Sequence, residues 1–253
     1  MTEPAAPHAA PEDLTQRCEQ LARELAQARA ELHDFTYSVS HDLRASLRHV
    51  TAFSQLAHEE LAEQSGHPAL GHLSRVTQAA RQMGRQIDGL MELSRLSAAA
   101  LQWSAVDVGD IVKPLCADLA QAAAGRSLAW RLADAWPVVR ADATLLRQAL
   151  GHVLSNAIKF SAGRSPAEIA VQWRSAAPGQ CTLVVSDNGV GFNPQYQGKL
   201  FQAFQRLHSP REFEGLGMGL AQVRTIAERL GGAVDAEGQV NGGCRVSLTL
   251  ALA

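Results

Sequence analysis

The sequence has no marked excess of charge of either sign. Its 253 residues include 23 Lys and Arg against 25 Asp and Glu, and the formal net charge is −2 at pH 7. Proteins that bind nucleic acids or anionic membranes through broad electrostatic surfaces usually carry a clear excess of Lys and Arg. The balance of charge therefore argues against a nucleic-acid partner and against attachment to an anionic membrane.

Long apolar segments are also missing. No run approaches the roughly 18 apolar residues that a membrane-spanning helix needs, so we expect no membrane span. The first residues, MTEPAAPHAAPEDL, have neither the basic start nor the apolar centre of a secretory signal peptide. The cysteines are few and show no metal-ligand spacing, which is typical of reduced thiols: Cys18, Cys116, Cys181 and Cys244. We therefore expect a cytoplasmic protein.

The first part of the chain is dominated by helical periodicity. Residues 1–13 are rich in Pro and Ala and are predicted to be disordered. From Leu14 onward, apolar or small residues recur at alternating intervals of four and three, the pattern of a heptad repeat: Leu14, Cys18, Leu21, Leu25, Ala28, Leu32, Phe35 and Val39. We predict a coiled-coil helix over residues 14–34. A single amphipathic helix packed on a domain is the alternative, because the repeat is short.

The periodicity changes over residues 35–47, which read FTYSVSHDLRASL. In this segment the apolar residues recur at intervals of four only, in place of alternating intervals of four and three. The helix is predicted to continue to about Leu61, where the breakers in EQSGHP end it. A second helix follows from about Leu73 to Leu96. Residues 35–100 therefore predict an antiparallel helical hairpin. Each helix has an apolar stripe too long for one partner helix to cover, so two chains should form a four-helix bundle.

Residues 101–253 predict a separate domain with mixed secondary structure. Helices are expected at residues 107–124, 143–160 and 216–230. Strands are expected at residues 128–132, 138–141, 167–174, 181–186, 233–237 and 245–250. The order lacks regular βαβ alternation, which favours a mixed sheet covered by helices on one face. The predicted fold class is therefore α+β: a dimeric helical hairpin followed by an α/β sandwich.

The most reactive candidate in the predicted hairpin is His41, which is followed at once by Asp42 and then by Arg44. Imidazole has an unperturbed pKa of about 6.5, so it is largely neutral and nucleophilic at the pH of a cell. We interpret His41 as a nucleophile. A histidine on the surface of a helix is the alternative interpretation of this segment by itself.

A second polar cluster lies on the helix predicted over residues 143–160. The i, i+4 spacing places His152 and Asn156 on one face, and Lys159 follows three residues later. An amide oxygen is a suitable ligand for Mg²⁺, and a lysine beside it can hold phosphate. An asparagine on a helix is also commonly a solvated or capping residue, so this cluster is weak evidence by itself.

Three further clusters follow in the same domain. DNGVGF, residues 187–192, begins with an acid that can accept a hydrogen bond from an exocyclic amine. Its two glycines permit close approach of the backbone to a ligand, although the segment also suits a simple turn. KLFQAFQR, residues 199–206, is an apolar segment with a cation at each end. GLGMGL, residues 215–220, places alternate glycines before a helix, where backbone N–H groups can bind phosphate. Three glycines alone are weak evidence.

All five clusters together, in this order, resemble the sensor histidine kinases of bacterial two-component systems. The segment around His41 resembles their H box, and NAIKF, residues 156–160, resembles the N box. DNGVGF resembles the first G box, KLFQAF the F box and GLGMGL the second G box. The resemblance extends from about residue 35 to the C-terminus. The segment FQRLHSPREFEGLGMGL is similar to the kinase regions of bacterial phytochromes.

The resemblance implies a dimerisation and phosphotransfer hairpin over residues 35–100 and a Bergerat-type ATP-binding domain over residues 101–253. It implies that ATP and Mg²⁺ are bound, that Asn156 is the Mg²⁺ ligand and that Asp187 binds the adenine amine. The lid over the nucleotide would span residues 193–214. The other nucleotide-binding residues that it implies are His152, Lys159, Gly189, Gly191, Arg206, Gly215, Gly217, Gly219 and Leu220.

The implied activity is ATP-dependent autophosphorylation of His41, with Asp42 hydrogen-bonded to the other ring nitrogen. The phosphoryl group would then pass to an aspartate on the receiver domain of a separate response regulator. The implied partners are a second copy of the chain, the receiver and a separate sensor or input protein. Two alternatives remain: an ATPase of the same superfamily that does not phosphorylate itself, and a degenerate kinase that serves as a dimeric scaffold.

Three positions depart from the family pattern. His152 stands where the family often has Asn or an acid, and it could bind metal or phosphate more weakly or accept a proton. Ser46 stands where the H box usually has proline. Since serine leaves the helix hydrogen bond intact, we predict a straighter first helix. Ala45 replaces the Thr or Asn that positions water in bifunctional members, which argues against phosphatase activity.

Overall fold

The computed structural model describes residues 11–62, 67–123, 125–209 and 212–253. The chain forms two compact units that divide after Ala98, close to the boundary predicted after residue 100. Most of the segment that was predicted to be disordered, residues 1–10, lies outside the described residues, as does most of the predicted helix breaker, residues 63–66. Among the described residues, no helix combines the length and apolarity that crossing a membrane requires.

The first unit consists of two long helices, α1 at Pro11–Ala62 and α2 at Ala69–Ala98. Residues 11–13 were predicted to be disordered but belong to helix α1. The helix can begin at Pro11 because a proline suits the first turn of a helix. The helices pack in antiparallel register. His33 Nδ1 lies 2.9 Å from Ser94 Oγ, and further along α1 the guanidinium of Arg44 lies 2.6 Å from the carboxylate of Asp88.

Helix α1 runs through Ser46 without interruption. The Ser46 hydroxyl donates a 3.1 Å hydrogen bond to the carbonyl oxygen of Asp42, within the same helix. A proline at this position would remove a backbone donor and would clash with that carbonyl. Helix α1 therefore has no break at this residue, and a straighter course of the helix stays a prediction.

An apolar stripe on both helices is left uncovered within one chain. Phe35 is 66% exposed and Phe53 is 70% exposed. Phenylalanine is among the residues that are most often buried in folded proteins. The other large apolar side chains exposed on the hairpin include Val39, Leu43, Val50, Leu56, Val76, Met83 and Leu90. A contiguous apolar surface of this kind is typical of an interaction face.

The described residues of the second unit form three helices, a short 3₁₀ segment at Pro194–Lys199 and seven strands. The helices are α3 at Val108–Ala122, α4 at Ala143–Phe160 and α5 at Gly219–Arg229. The strands are β1 at Ser104–Asp107, β2 at Leu128–Leu132, β3 at Val138–Ala141, β4 at Ala167–Ser175, β5 at Gln180–Asp187, β6 at Ala233–Gln239 and β7 at Gly243–Ala251.

Five strands form one mixed sheet in the order β2-β4-β5-β7-β6, and β1 pairs with β3 in a separate two-stranded sheet. Only the β2–β4 pair of the large sheet is parallel. Alternate residues of its central strands are buried, which gives the sheet one covered face. Helices α4 and α5 contribute the facing apolar side chains, among them Leu146, Leu150, Leu154, Val223 and Ile226. The predicted α+β fold class is confirmed.

Two acidic side chains fix where helices of this unit begin. Asp107 accepts a 2.7 Å hydrogen bond from Gly109 N and caps α3. Asp142 is buried and accepts from the backbone N–H groups of Thr144 and Leu145, so it caps α4. N-terminal caps of this type contribute roughly 1 kcal/mol each to helix stability. They place the polar face of α4 in a fixed position on the sheet.

Two of the differences from the sequence-based prediction have a clear physical reason. Helix α5 begins at Gly219, three residues later than predicted, because Gly217 has a φ of +73°, a left-handed conformation that no α-helix accepts. Strand β1 was not predicted. It has four residues with only one of them buried, so its sequence lacks the alternation that marks a strand.

Candidate functional site

The predicted nucleophile, His41, lies on an exposed part of α1. Its side chain is 63% exposed, and its Nδ1 lies 3.3 Å from Asp42 Oδ1. A carboxylate at this nitrogen favours the tautomer that carries its proton on Nδ1, so the lone pair is on Nε2. Arg44, the base in the same segment, is instead bonded across the hairpin to Asp88 and contacts the sulfur of Met91.

The polar face of α4 carries the predicted His152, Asn156 and Lys159, all of them half-buried. Burial lowers the pKa of Lys159, and the nearby Arg206 guanidinium lowers it further. A Cβ atom added to Gly215 would lie 3.5 Å from Lys159 Nζ. The structure thus brings together two cations and a glycine that come from three separate sequence clusters.

This convergence suits a polyanion. Two cations placed this close repel each other, and the repulsion is relieved when a negative group lies between them. Gly215 has a φ of +135° and presents backbone beside Lys159 without a side chain. Inorganic or nucleotide phosphate is the anion that such a pair of cations with adjacent backbone binds best.

The start of α5 lies against α4. A Cβ atom on Gly219 would lie 3.3 Å from His152 Nδ1, so the histidine ring packs on the first turn of α5. Leu220 follows in that turn and is half-buried. A side chain on Gly217 would overlap the carbonyl oxygen of Gln205, which brings the second glycine cluster next to residues 199–206.

Asp187 ends β5 and is held by backbone donors. Its Oδ1 accepts a 2.8 Å hydrogen bond from Gly189 N, and the backbone N–H of Cys244 on β7 also donates to this carboxylate. Burial nevertheless raises the pKa of Asp187 to about 6. Burial and the neighbouring Asp187 raise the pKa of the Cys244 thiol to about 12, so the thiol stays neutral.

The loop after Asp187 packs too closely for side chains. A Cβ atom on Gly189 would lie 2.5 Å from the carbonyl oxygen of Phe160, at the end of α4. Gly191 has a φ of +58°, and a Cβ atom there would overlap the carbonyl oxygen of Gln239. Both glycines let the backbone approach other segments of the protein, and the close approach to a ligand that the sequence suggested stays a prediction.

The structure adds an aromatic cluster at this loop. The His208 ring lies 5.3 Å from the Phe160 ring, and the Phe213 ring lies 5.0 Å from Phe160, measured between centroids. His208 Nε2 also donates a 2.9 Å hydrogen bond to Gly191 O. His208 and Phe213 belong to the predicted lid but were not predicted as site residues. Their only signal in the sequence was the presence of aromatic rings in the segment between the two glycine clusters.

The raised pKa of Asp187 gives a pH prediction. A carboxylate accepts a hydrogen bond from an exocyclic amine better than a carboxylic acid does, so, if Asp187 binds the adenine amine as the sequence predicts, binding of adenosine would need the ionised form. With a pKa of about 6, about one-tenth of this group is ionised at pH 5, and the affinity should fall about tenfold from pH 7.5 to pH 5. Calorimetric titration with adenosine, which carries no phosphate, measures this. An affinity that stays constant down to pH 5 would contradict it.

Comparison with known proteins identifies the second unit. Residues 141–253 match the histidine kinase-, DNA gyrase B-, and HSP90-like ATPase family. The chain is similar to the methanogenesis regulatory histidine kinase FilI of Methanothrix harundinacea, with 31% identity over 90% of this chain and 25% of that protein. It is also similar to the phytochrome-like protein Cph1 of Synechocystis sp., with 32% identity over 83% of this chain and 28% of that protein. The chain spans about a quarter of the length of these relatives.

Solved structures share the fold of both units. Full-length ShkA in complex with AMPPNP aligns with a TM-score of 0.60 at 22% identity, over 87% of this chain and 46% of that chain. The histidine kinase AdeS of Acinetobacter baumannii aligns with a TM-score of 0.55 at 17% identity, over 82% of this chain and 97% of that chain. Residues 141–253 belong to this ATPase family, and relatives that extend across the helical unit support the identification of the chain as a sensor histidine kinase.

Proposed function

We propose that the chain is a histidine autokinase that transfers the γ-phosphoryl group of ATP to His41 and then to an aspartate of a separate receiver domain. The observation that carries the proposal is the convergence of Lys159, Arg206 and Gly215, beside a loop that holds the half-buried Asp187. Asp187 offers a hydrogen-bond acceptor for a nucleobase, and the two cations offer a site for phosphate. A nucleoside triphosphate carries both groups.

In this proposal, Asp187 accepts a hydrogen bond from the adenine amine, while Gly189 and Gly191 shape the base pocket. Lys159 and Arg206 bind the phosphates, with the backbone at Gly215, Gly217 and Gly219 beside them. Leu220 and His152 complete the wall at the start of α5. The lid over the nucleotide is proposed to span residues 193–214, and the contacts of His208 with Gly191 and Phe160 support its closure there.

The residues present also fit Mg²⁺. Among the described residues no group of three or more His, Cys, Asp and Glu could hold a metal ion by itself. Mg²⁺ bound with ATP needs few protein ligands, because phosphate oxygens and waters fill most of its shell. The half-buried amide oxygen of Asn156 is a suitable single ligand. Bound there, Mg²⁺ would neutralise charge on the phosphates.

The proposed chemistry at His41 follows from its tautomer. The lone pair of Nε2 attacks the γ-phosphorus in line with the departing ADP, so a P–N bond forms as the bond to the ADP oxygen breaks. The proton stays on Nδ1, and positive charge develops on the ring. The Asp42 carboxylate, 3.3 Å from Nδ1, orients the ring and stabilises that charge.

A second copy of the chain is the proposed partner of the hairpin. The exposed stripe that includes Phe35 and Phe53 would be covered in a four-helix bundle, with the coiled coil continuing over residues 14–34. A receiver domain of a response regulator is the proposed acceptor of the phosphoryl group, and a separate sensor could act on α1. The cytoplasmic location expected from the composition stays a prediction.

Replacing Asp42 with alanine should slow the phosphorylation of His41 by roughly 100-fold or more, since a side chain that assists by holding a proton contributes at least about this much. The affinity for ATP should not change, because Asp42 belongs to the other unit. Single-turnover phosphorylation at saturating ATP measures the rate, and Glu59→Ala at an exposed position of α1 is the control. A wild-type rate in Asp42→Ala would exclude this role.

One experiment separates the autokinase from its two alternatives. Purified protein is mixed with γ-labelled ATP and Mg²⁺, and ADP and protein-bound label are counted in the same samples. The autokinase predicts a burst of ADP matched by bound label. A superfamily ATPase predicts continuous ADP release without label, and a degenerate scaffold predicts neither. Screening receiver domains against the labelled protein then tests the second transfer, which predicts loss of label from this chain and its gain by a receiver.

A further inference from the structure

One arginine binds three backbone carbonyl groups behind Asp187. Arg164, in the connection after α4, donates from Nε to Asn188 O at 2.8 Å and from Nη2 to Gly189 O at 3.3 Å. The same Nη2 donates to Asn241 O at 2.9 Å. Hydrogen bonds from a charged donor are stronger than neutral ones, and the planar fork of arginine can bind several acceptors at once.

The segments that Arg164 binds are those that supply the donors to Asp187. Gly189 offers its N–H to the Asp187 carboxylate and its carbonyl oxygen to Arg164. Asn241, in the turn between β6 and β7, has a φ of +60° and donates from its N–H to Val190 O at 2.7 Å. The strand that follows this turn, β7, carries the Cys244 N–H that also bonds Asp187.

A second anchor holds the same loop independently. The Asn188 side chain accepts from Glu168 N at 3.0 Å and donates to Pro166 O at 3.1 Å. These bonds fix the loop to the start of β4. Loss of Arg164 should therefore leave the loop folded but less restrained, so its effect should appear in ligand binding more than in folding.

We propose that Arg164 is a positioning residue for base recognition: it ties the loop after Asp187 to the β6–β7 turn and so fixes the carboxylate for the adenine amine. This inference rests on the proposed ATP site. A base binds a fixed acceptor with less loss of conformational freedom than a mobile one. Arg164 therefore acts on affinity for the nucleotide and not on the transfer step.

The test compares Arg164→Ala and Arg164→Lys with Arg174→Ala, a control that removes an exposed arginine from β4. Arg164→Ala should weaken ADP binding about tenfold and raise the KM for ATP by a similar factor, while the autophosphorylation rate at saturating ATP stays within about twofold of wild type. Lysine keeps the charge but lacks the planar fork that reaches separated acceptors, so Arg164→Lys should give an intermediate KM.

The split between KM and the saturating rate separates positioning from general destabilisation, which would lower the amount of active protein and leave the KM unchanged. If Arg164→Ala does not fold, Arg164→Lys carries the test through its KM. Wild-type KM and ADP affinity in the folded Arg164 variants overturn the positioning role alone. Failure of the unaltered chain to bind ADP overturns the proposed function and, with it, this inference.

Discussion

The His41→Gln variant is expected to lose transfer of the phosphoryl group from ATP to the protein by roughly a thousandfold or more, the scale seen when an enzyme loses its nucleophile. Glutamine has a similar reach and a good helix propensity, so α1 should be preserved. Its amide nitrogen has no available lone pair and cannot attack phosphorus. The measurement is label bound per chain after incubation with γ-labelled ATP and Mg²⁺.

The matched control is His49→Gln, which makes the same change at another exposed histidine of α1. We expect wild-type labelling in that variant. The His41→Gln protein should still bind ATP, because all the proposed nucleotide contacts lie in the second unit. Equal labelling of His41→Gln and His49→Gln would contradict the assignment of the nucleophile.

The Asp187→Asn variant is expected to bind ATP roughly 100-fold more weakly, a loss of about 2.7 kcal/mol. Asparagine preserves the shape of the side chain but offers one acceptor oxygen in place of two. That oxygen cannot serve the backbone donors of Gly189 and Cys244 and also the adenine amine. The amide N–H of asparagine would then face another donor away from solvent. A buried donor without an acceptor reduces the binding free energy by about 1–3 kcal/mol.

Calorimetric titration with ADP measures this effect, because ADP carries the same base and cannot be consumed by phosphoryl transfer. Asp134→Asn is the control, since Asp134 is exposed and its replacement changes the net charge equally. We expect wild-type affinity in the control. Affinity retained by Asp187→Asn would show that the base does not bind at this carboxylate.

The elements with strong local signals could be predicted from the sequence. Helix α4 has the predicted bounds, because regularly spaced leucines give it a clear apolar face and Asp142 caps its first turn. Strands β2 and β3 also have the predicted bounds. The start of α5 was placed too early because the left-handed conformation of Gly217 is imposed by packing against Gln205, a contact between distant segments.

The site was predictable in its residue types but not in its contacts. The motifs identified Lys159 and Arg206 as candidate nucleotide-binding residues, but they did not indicate that the Arg206 guanidinium lies close enough to lower the pKa of Lys159. Periodicity and motif spacing carry no information on such tertiary contacts. The same reason explains why Arg44, adjacent in sequence to the proposed nucleophile, is bonded to Asp88 on α2. It also explains why the aromatic contact of His208 with Phe160 was not foreseen.

The chemical identity of the protein-bound phosphoryl group tests the account most directly. Wild-type protein is incubated with γ-labelled ATP and Mg²⁺, and the label is followed in acid and in base before the modified residue is located by mass spectrometry. A phosphoramidate on His41 predicts label that is lost in acid, survives base and maps to residue 41. Absence of label, label that survives acid, or label on a residue other than His41 would contradict the central claim.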